Sequence, residues 1–176
     1  MIVNRLKLDE VDRQIIDLIQ KKPNITHTEI AEKVGRSQPT VGIRVRKLEE
    51  QGMLNFQAGI NIRDSKLSFA KVEIETDSPT NILDNVSCCP YVLTAFKLSG
   101  VANLSILLGC PDLEFLDKIV NHHFRNNDEI KSVSMDIITS VLNDLVLPME
   151  FEFDKCHCDL KPECVKKWGN HQKKQI

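Results

Sequence analysis

No apolar run in this 176-residue sequence approaches the ~20 residues that a membrane-spanning helix requires. Nor does a secretory signal open it. Met1 to Gln20 is interrupted by Arg5, Lys7, Asp9, Glu10, Asp12, Arg13 and Asp17. These absences set the expectation of a soluble, cytoplasmic protein. A strong overall charge is missing too, since the formal net is −2. That excludes a generic binder of polyanions and leaves room only for a local basic patch. Glycine-rich phosphate loops, nucleophile elbows and paired-carboxylate motifs are likewise absent, which weakens an enzymatic reading.

What is present is unevenly distributed. Residues 1–64 carry 11 Lys/Arg against 9 Asp/Glu, residues 65–154 carry 6 against 14, and residues 155–176 carry 6 against 2. A mildly basic head, an acidic body and a basic tail imply separate tasks. The boundaries expected from pattern are 1–64, 65–150 and 151–176.

The head reads as three helices. Asp9 is a suitable N-cap for a stripe of Val11, Ile15, Leu18 and Ile19, which Lys21-Lys22-Pro23 ends. Thr26-His27-Thr28-Glu29 has capping-box spacing, and Gly35 is placed to stop that helix in a left-handed turn. Ser37 then caps a third helix with Pro39 in its first turn and Val41, Val45 and Leu48 inward. A short helix, a glycine turn and a longer helix in series is helix-turn-helix spacing.

From Lys33 to Leu48 there are five cations and no acid. Phosphates require cations, and base edges require short polar or apolar side chains near a helix start. The candidate DNA-binding residues are Arg36, Ser37, Gln38, Thr40, Ile43, Arg44, Arg46 and Lys47. Gln38, Thr40 and Ile43 suit base edges, whereas Arg44, Arg46 and Lys47 suit phosphates. Arg44 could alternatively pair with a nearby carboxylate. Met53–Ile62 reads as a wing hairpin or a strand leading out, and Arg63-Asp64-Ser65-Lys66 as a linker.

The body reads β-α-β-β-α-β, a ferredoxin-like order. Strands are expected around Ala70–Ile74, Tyr91–Leu98, Leu104–Leu108 and Val133–Val141. Helices follow Ser78-Pro79-Thr80 and Pro111-Asp112, the second with Leu113, Leu116, Val120 and Phe124 inward. His122-His123 on that helix reads as a buried or edge pair rather than as ligands. The fold class is thus α+β, a winged helix-turn-helix joined to a ferredoxin-like domain.

Together these residues resemble the Lrp/AsnC family of transcription regulators. The resemblance runs through Leu8-Asp9-Glu10-Val11-Asp12-Arg13-Gln14-Ile15-Ile16, Glu29-Ile30-Ala31, Val34-Gly35-Arg36-Ser37 and Arg44-Val45-Arg46-Lys47-Leu48-Glu49-Glu50-Gln51-Gly52. It continues more loosely to Leu147-Pro148-Met149. It implies a double-stranded DNA partner and a sensing domain that forms a homodimer or higher oligomer and binds a small effector. Ser99, Gly100 and Asn103 stand where the family has a Thr-Gly-x-x-Asp turn, with Asn103 in place of the acid and Leu104 in place of an aromatic. Siroheme decarboxylases resemble the same family and are the enzymatic alternative. Their His- and Arg-bearing run corresponds to Leu93–Gly100 here, which has neither residue.

The tail lies beyond that resemblance. Cys156, Cys158 and Cys164 fall within nine residues, at a spacing that lets thiolates share one ion. Zinc or an iron–sulfur cluster would suit them. Cys88, Cys89, His157, His171 or a partner chain are candidates for a fourth ligand, and the alternative is a disordered basic tail with incidental thiols.

Overall fold

The computed structural model describes residues 8–173, with side chains to Asn170. It divides into two compact units, the first ending at Gln57 and the second beginning at Ala58.

The first unit packs α1 (Glu10–Lys21), α2 (His27–Val34) and α3 (Gln38–Glu50) around Ile15, Ile19, Ile30, Val34, Val41, Val45, Leu48 and Leu54. Its helix ends are set locally. Asp9 accepts from the Asp12 N–H at 2.8 Å, and Asp12 returns a bond to the Asp9 N–H. Thr26 and Glu29 close a second capping box, Gly35 takes φ 63°, and Ser37 caps α3. No wing hairpin follows. Residues 54–59 form no strand, and β1 (Ile60–Asn61), already in the second unit, pairs antiparallel with β6 (Val146–Leu147). The strand-leading-out reading of Met53–Ile62 is the one that holds. The stretch expected to be a linker is a structured turn, with Ile62 buried, Asn61 Nδ2 donating to Asp64, and Arg63 paired with Asp144 at 3.3 Å.

The second unit is β2 (Ser68–Thr76), α4 (Pro79–Val86), β3 (Val92–Lys97), β4 (Leu104–Cys110), α5 (Leu113–Val120) and β5 (Ile130–Ile137). Every pair is antiparallel and the sheet order is β3-β4-β2-β5, the ferredoxin-like arrangement. Ala70, Val72 and Ile74 on β2 and Leu104, Ile106 and Leu108 on β4 are fully buried beneath Ile82, Val86, Leu116, Ile119, Val120 and Phe124. Alternation along the strands put these residues on one face, and apolar burial of that face holds the layer together. Leu113, expected inward, is half exposed at the first position of α5, and Phe115 fills the core instead.

Two features were not expected. Helix α5 runs directly into a π-helical turn, Asn121–Arg125, where the Asn126 N–H reaches back to the Asn121 carbonyl at 3.1 Å. The tail, moreover, is folded. Helix α6 (Lys161–Lys173) and the loop before it add Phe153, Leu160 and Cys164 to the core. Tyr91 Oη donates to the Cys164 carbonyl at 3.0 Å, and its ring meets Phe115 and Phe153 edge-on. Lys167 pairs with Asp112 at 2.5 Å, and Lys118 pairs with Glu163. A disordered tail is therefore ruled out for the described residues.

Candidate nucleic-acid interface

Helix α3 presents its outward face because Val41, Val45 and Leu48 occupy the inward one. Ile43 stands on that outward face and is 71% exposed. It forms a ridge between two shallow grooves. One groove, of about 540 Å³, is lined by His27, Gln38, Pro39, Arg46 and Phe56 among others. The other, of about 380 Å³, is lined by Asp9, Asp12, Thr40, Arg44 and Lys47. Gln38 and Arg46 thus flank Ile43 on one side, with Thr40 and Lys47 on the other. Arg36, Ser37, Gln38, Arg46 and Lys47 are all exposed.

The candidates are not equally free. Ser37 is committed to capping, with its hydroxyl 2.8 Å from that of Thr40 and 3.4 Å from the Thr40 N–H. Arg36 turns back to donate to the Gly35 carbonyl. Arg44 has to be corrected. Its guanidinium holds Asp9 at 2.6 Å and Asp12 at 2.7 Å, and its side chain is 29% exposed. Two carboxylates already neutralise it, so it is a strut between α1 and α3 rather than a phosphate contact. The Asp12 backbone N–H, together with Arg44, holds the Asp9 carboxyl below its ordinary range, and the two acids raise Arg44. The carboxylate alternative was open in the sequence; what fixed it is a contact between residues 35 positions apart. His27 and Phe56 were missed as groove residues, because neither carries a helical-face signal.

The residues expected to meet a small effector are split. Ser99 and Gly100 are exposed in the β3–β4 turn. Both polar atoms of Asn103 are spent on Thr76, accepting from its N–H at 3.1 Å and donating to its carbonyl at 2.6 Å. Asn103 therefore fastens the turn to β2 and has little left for a ligand.

The tail cysteines are also rearranged. Cys156 and Cys158 come together, Sγ to Sγ 3.3 Å, with Cys88 against Cys156. Cys164 does not join them. It is 4% exposed in the core, where burial pushes its thiol up to about 12, as it does for Cys89 and Cys110. His157 is exposed, and the side chain of His171 lies outside the described residues. Instead, ligand atoms of His122, His123 and Cys158 all lie within 4.8 Å of one another. The π-helical turn brings both histidines to the tail, a convergence that the reading of them as buried or edge residues did not anticipate.

Comparison with known proteins agrees with this architecture. A family model described as winged helix-turn-helix DNA-binding matches residues 8–55. The leucine-responsive regulatory protein of Rhizobium meliloti is 33% identical over 116 residues, covering 62% of this chain and 73% of that protein. An uncharacterised HTH-type transcriptional regulator of Pyrococcus horikoshii is 26% identical over 145 residues, covering 78% and 89%. Among solved structures, AsnC of E. coli superposes with a TM-score of 0.65 at 19% identity, over 78% of this chain and 97% of that one. LrpC of B. subtilis superposes with 0.66 at 20%, over 77% and 97%. The structures share the fold. The sequence relatives are transcription regulators, so the siroheme-decarboxylase alternative finds no support among them. No helix among the described residues is long and apolar enough to cross a membrane. With its helix-turn-helix head, its ferredoxin-like body and these relatives, the chain belongs to the Lrp/AsnC family of DNA-binding transcription regulators.

Proposed function

We propose that α3 enters the major groove of double-stranded DNA with Ile43 as its central contact, and that the protein regulates transcription by binding a specific sequence. The carrying observation is the exposed Ile43 ridge with Gln38 and Arg46 on one side and Thr40 and Lys47 on the other. An apolar side chain there has a natural partner in a thymine methyl group; Gln38 and Thr40 can hydrogen-bond base edges, and Arg46 and Lys47 can meet phosphates. Such a protein works in the cytoplasm, where the DNA is. Two copies pair through the second unit, whose sheet strands leave Phe96 and Ile137 exposed. A small effector would reach the exposed Ser99–Gly100 turn. In this chain Asn103 positions that turn rather than holding the ligand.

The test is salt-dependent DNA affinity on a selected operator. Arg46→Ala and Lys47→Ala are each expected to lower the log–log salt slope by ~1 and to weaken all sequences about equally. Ile43→Ala and Thr40→Ala should instead relax preference at one half-site position, by ~1–3 kcal/mol. If Ile43→Ala leaves base preference intact while Arg46→Ala changes it, the assignment of this face is wrong.

A further inference from the structure

We infer that the second unit holds a single zinc-class metal ion between the π-helical turn and the tail, with His122, His123, Cys156 and Cys158 as its ligands. Four observations converge on this spot. Ligand atoms of His122, His123 and Cys158 lie within 4.8 Å of one another. Cys156 Sγ is 3.3 Å from Cys158 Sγ. Among the described residues, the His123 Nε2 atom is buried with no hydrogen-bond partner, a cost that an ion would remove. And the two histidines sit on a π-helical turn, a rare element frequent at functional sites.

The dimensions select the ion. In a tetrahedral site with metal–sulfur bonds of about 2.3 Å and metal–nitrogen bonds of about 2.0 Å, ligand atoms stand roughly 3.3–3.8 Å apart. His122, His123 and Cys158, gathered within 4.8 Å, would have to draw in toward that range, and Cys156, 3.3 Å from Cys158, would have to turn toward the histidines to complete the set. An iron–sulfur cluster interposes its own iron and sulfide atoms and would need its ligands further apart. Two thiolates and two neutral imidazoles are a common zinc donor set. The two thiolates neutralise a divalent cation, so the filled site carries no net charge into a half-buried position. On binding, each thiol gives up its proton to solvent. Cys164, on α6, and Cys88, beside Cys156, lie outside the set. Nothing in this arrangement involves α3, so the site stands or falls independently of DNA binding.

The experiment uses the full-length chain, purified under reducing conditions without chelator. Elemental analysis is expected to find one zinc per chain. Co2+ added to the metal-free protein should give the intense visible bands of a tetrahedral complex and sulfur-to-cobalt charge transfer from two thiolates. Cys158→Ser and a His122→Ala/His123→Ala variant should each weaken Co2+ binding by more than ~100-fold, beyond what loss of an outer-shell partner costs. Cys164→Ala should keep the wild-type spectrum. Circular dichroism establishes that each variant is folded; should one unfold, the wild-type cobalt spectrum decides alone through its count of sulfur ligands. The inference is overturned if folded wild type takes up no Co2+, if the protein carries a brown iron–sulfur chromophore, or if Cys158→Ser binds Co2+ as wild type does.

Discussion

At the scale of single residues, the structure separates chemically similar side chains by what surrounds them. Arg44 and Arg46 lie two positions apart on α3, yet the first is clasped by Asp9 and Asp12 and the second is exposed. Arg44→Ala is therefore expected to cost the head about 1 kcal/mol of stability, a modest value because Asp9 is itself half exposed. It should leave the salt slope of DNA binding unchanged; chemical denaturation and affinity against salt, measured on one sample, check both halves. The cysteines sort in the same way. Burial raises the thiols of Cys89, Cys110 and Cys164 to about 12, which keeps them protonated and unreactive at neutral pH. Mass spectrometry after brief native alkylation of metal-free protein should find the partly exposed Cys88 and Cys158 labelled and these three unlabelled. Labelling of Cys164 at the rate of Cys158 would contradict its burial.

At the scale of elements, what could be read from sequence was what is decided locally. Asp9, Thr26 and Ser37 were legible as caps because an N-cap bonds to a backbone N–H within its own first turn. Gly35 was legible because the left-handed stop favours glycine. The wing hairpin failed because β1 finds its partner at residues 146–147, and nothing near residue 60 records that. The burial of Cys164 was not legible, because sequence proximity to Cys156 and Cys158 carries no information about which side of α6 faces the core. The approach of His122 and His123 to Cys158 was not legible, because a π-helical turn, and not an ordinary helix, carries them there. The α2 capping box adds a pH dependence. The hydrogen bond from Lys22 and those from Thr26 hold the Glu29 carboxyl down at about 2, from an ordinary 4.5. A depressed carboxyl contributes stability that is present above its unfolded value and disappears as pH falls through the folded one. The melting temperature of Glu29→Gln should thus lie below wild type at pH 6, and the gap should close between pH 4.5 and 2. A gap that stays constant over that window would mean that the Glu29 charge contributes nothing.

At the scale of the whole molecule, the tail is part of the second unit's core and not an appendage to it. Deleting residues 150–176 removes Phe153, Leu160 and Cys164 from the core and leaves the buried Tyr91 hydroxyl without its acceptor. Each large buried apolar side chain is worth about 1.5–3 kcal/mol, and an orphaned buried donor costs about 1–3 kcal/mol. The truncated second unit is expected to lose at least ~3 kcal/mol in urea unfolding, while the head's own unfolding stays as it was. A truncated chain as stable as the full one would show that these contacts are superficial.

The short ladder between β1 and β6 has a mechanical meaning. Gly59 lies so close to Leu147 that any Cβ would overlap the Leu147 carbonyl, and the Ile62 N–H is bonded to the Leu145 carbonyl at 2.8 Å. The chain leaving the head is thereby welded, within a few residues, to the chain about to enter the tail. Residues 59–62 and 145–147 are thereby held as one piece of the second unit. Gly59→Ala would prise that weld apart while leaving both hydrophobic cores whole. Amide exchange at Ile62 should quicken in the variant, and exchange at Ile15 and Ile74 should not.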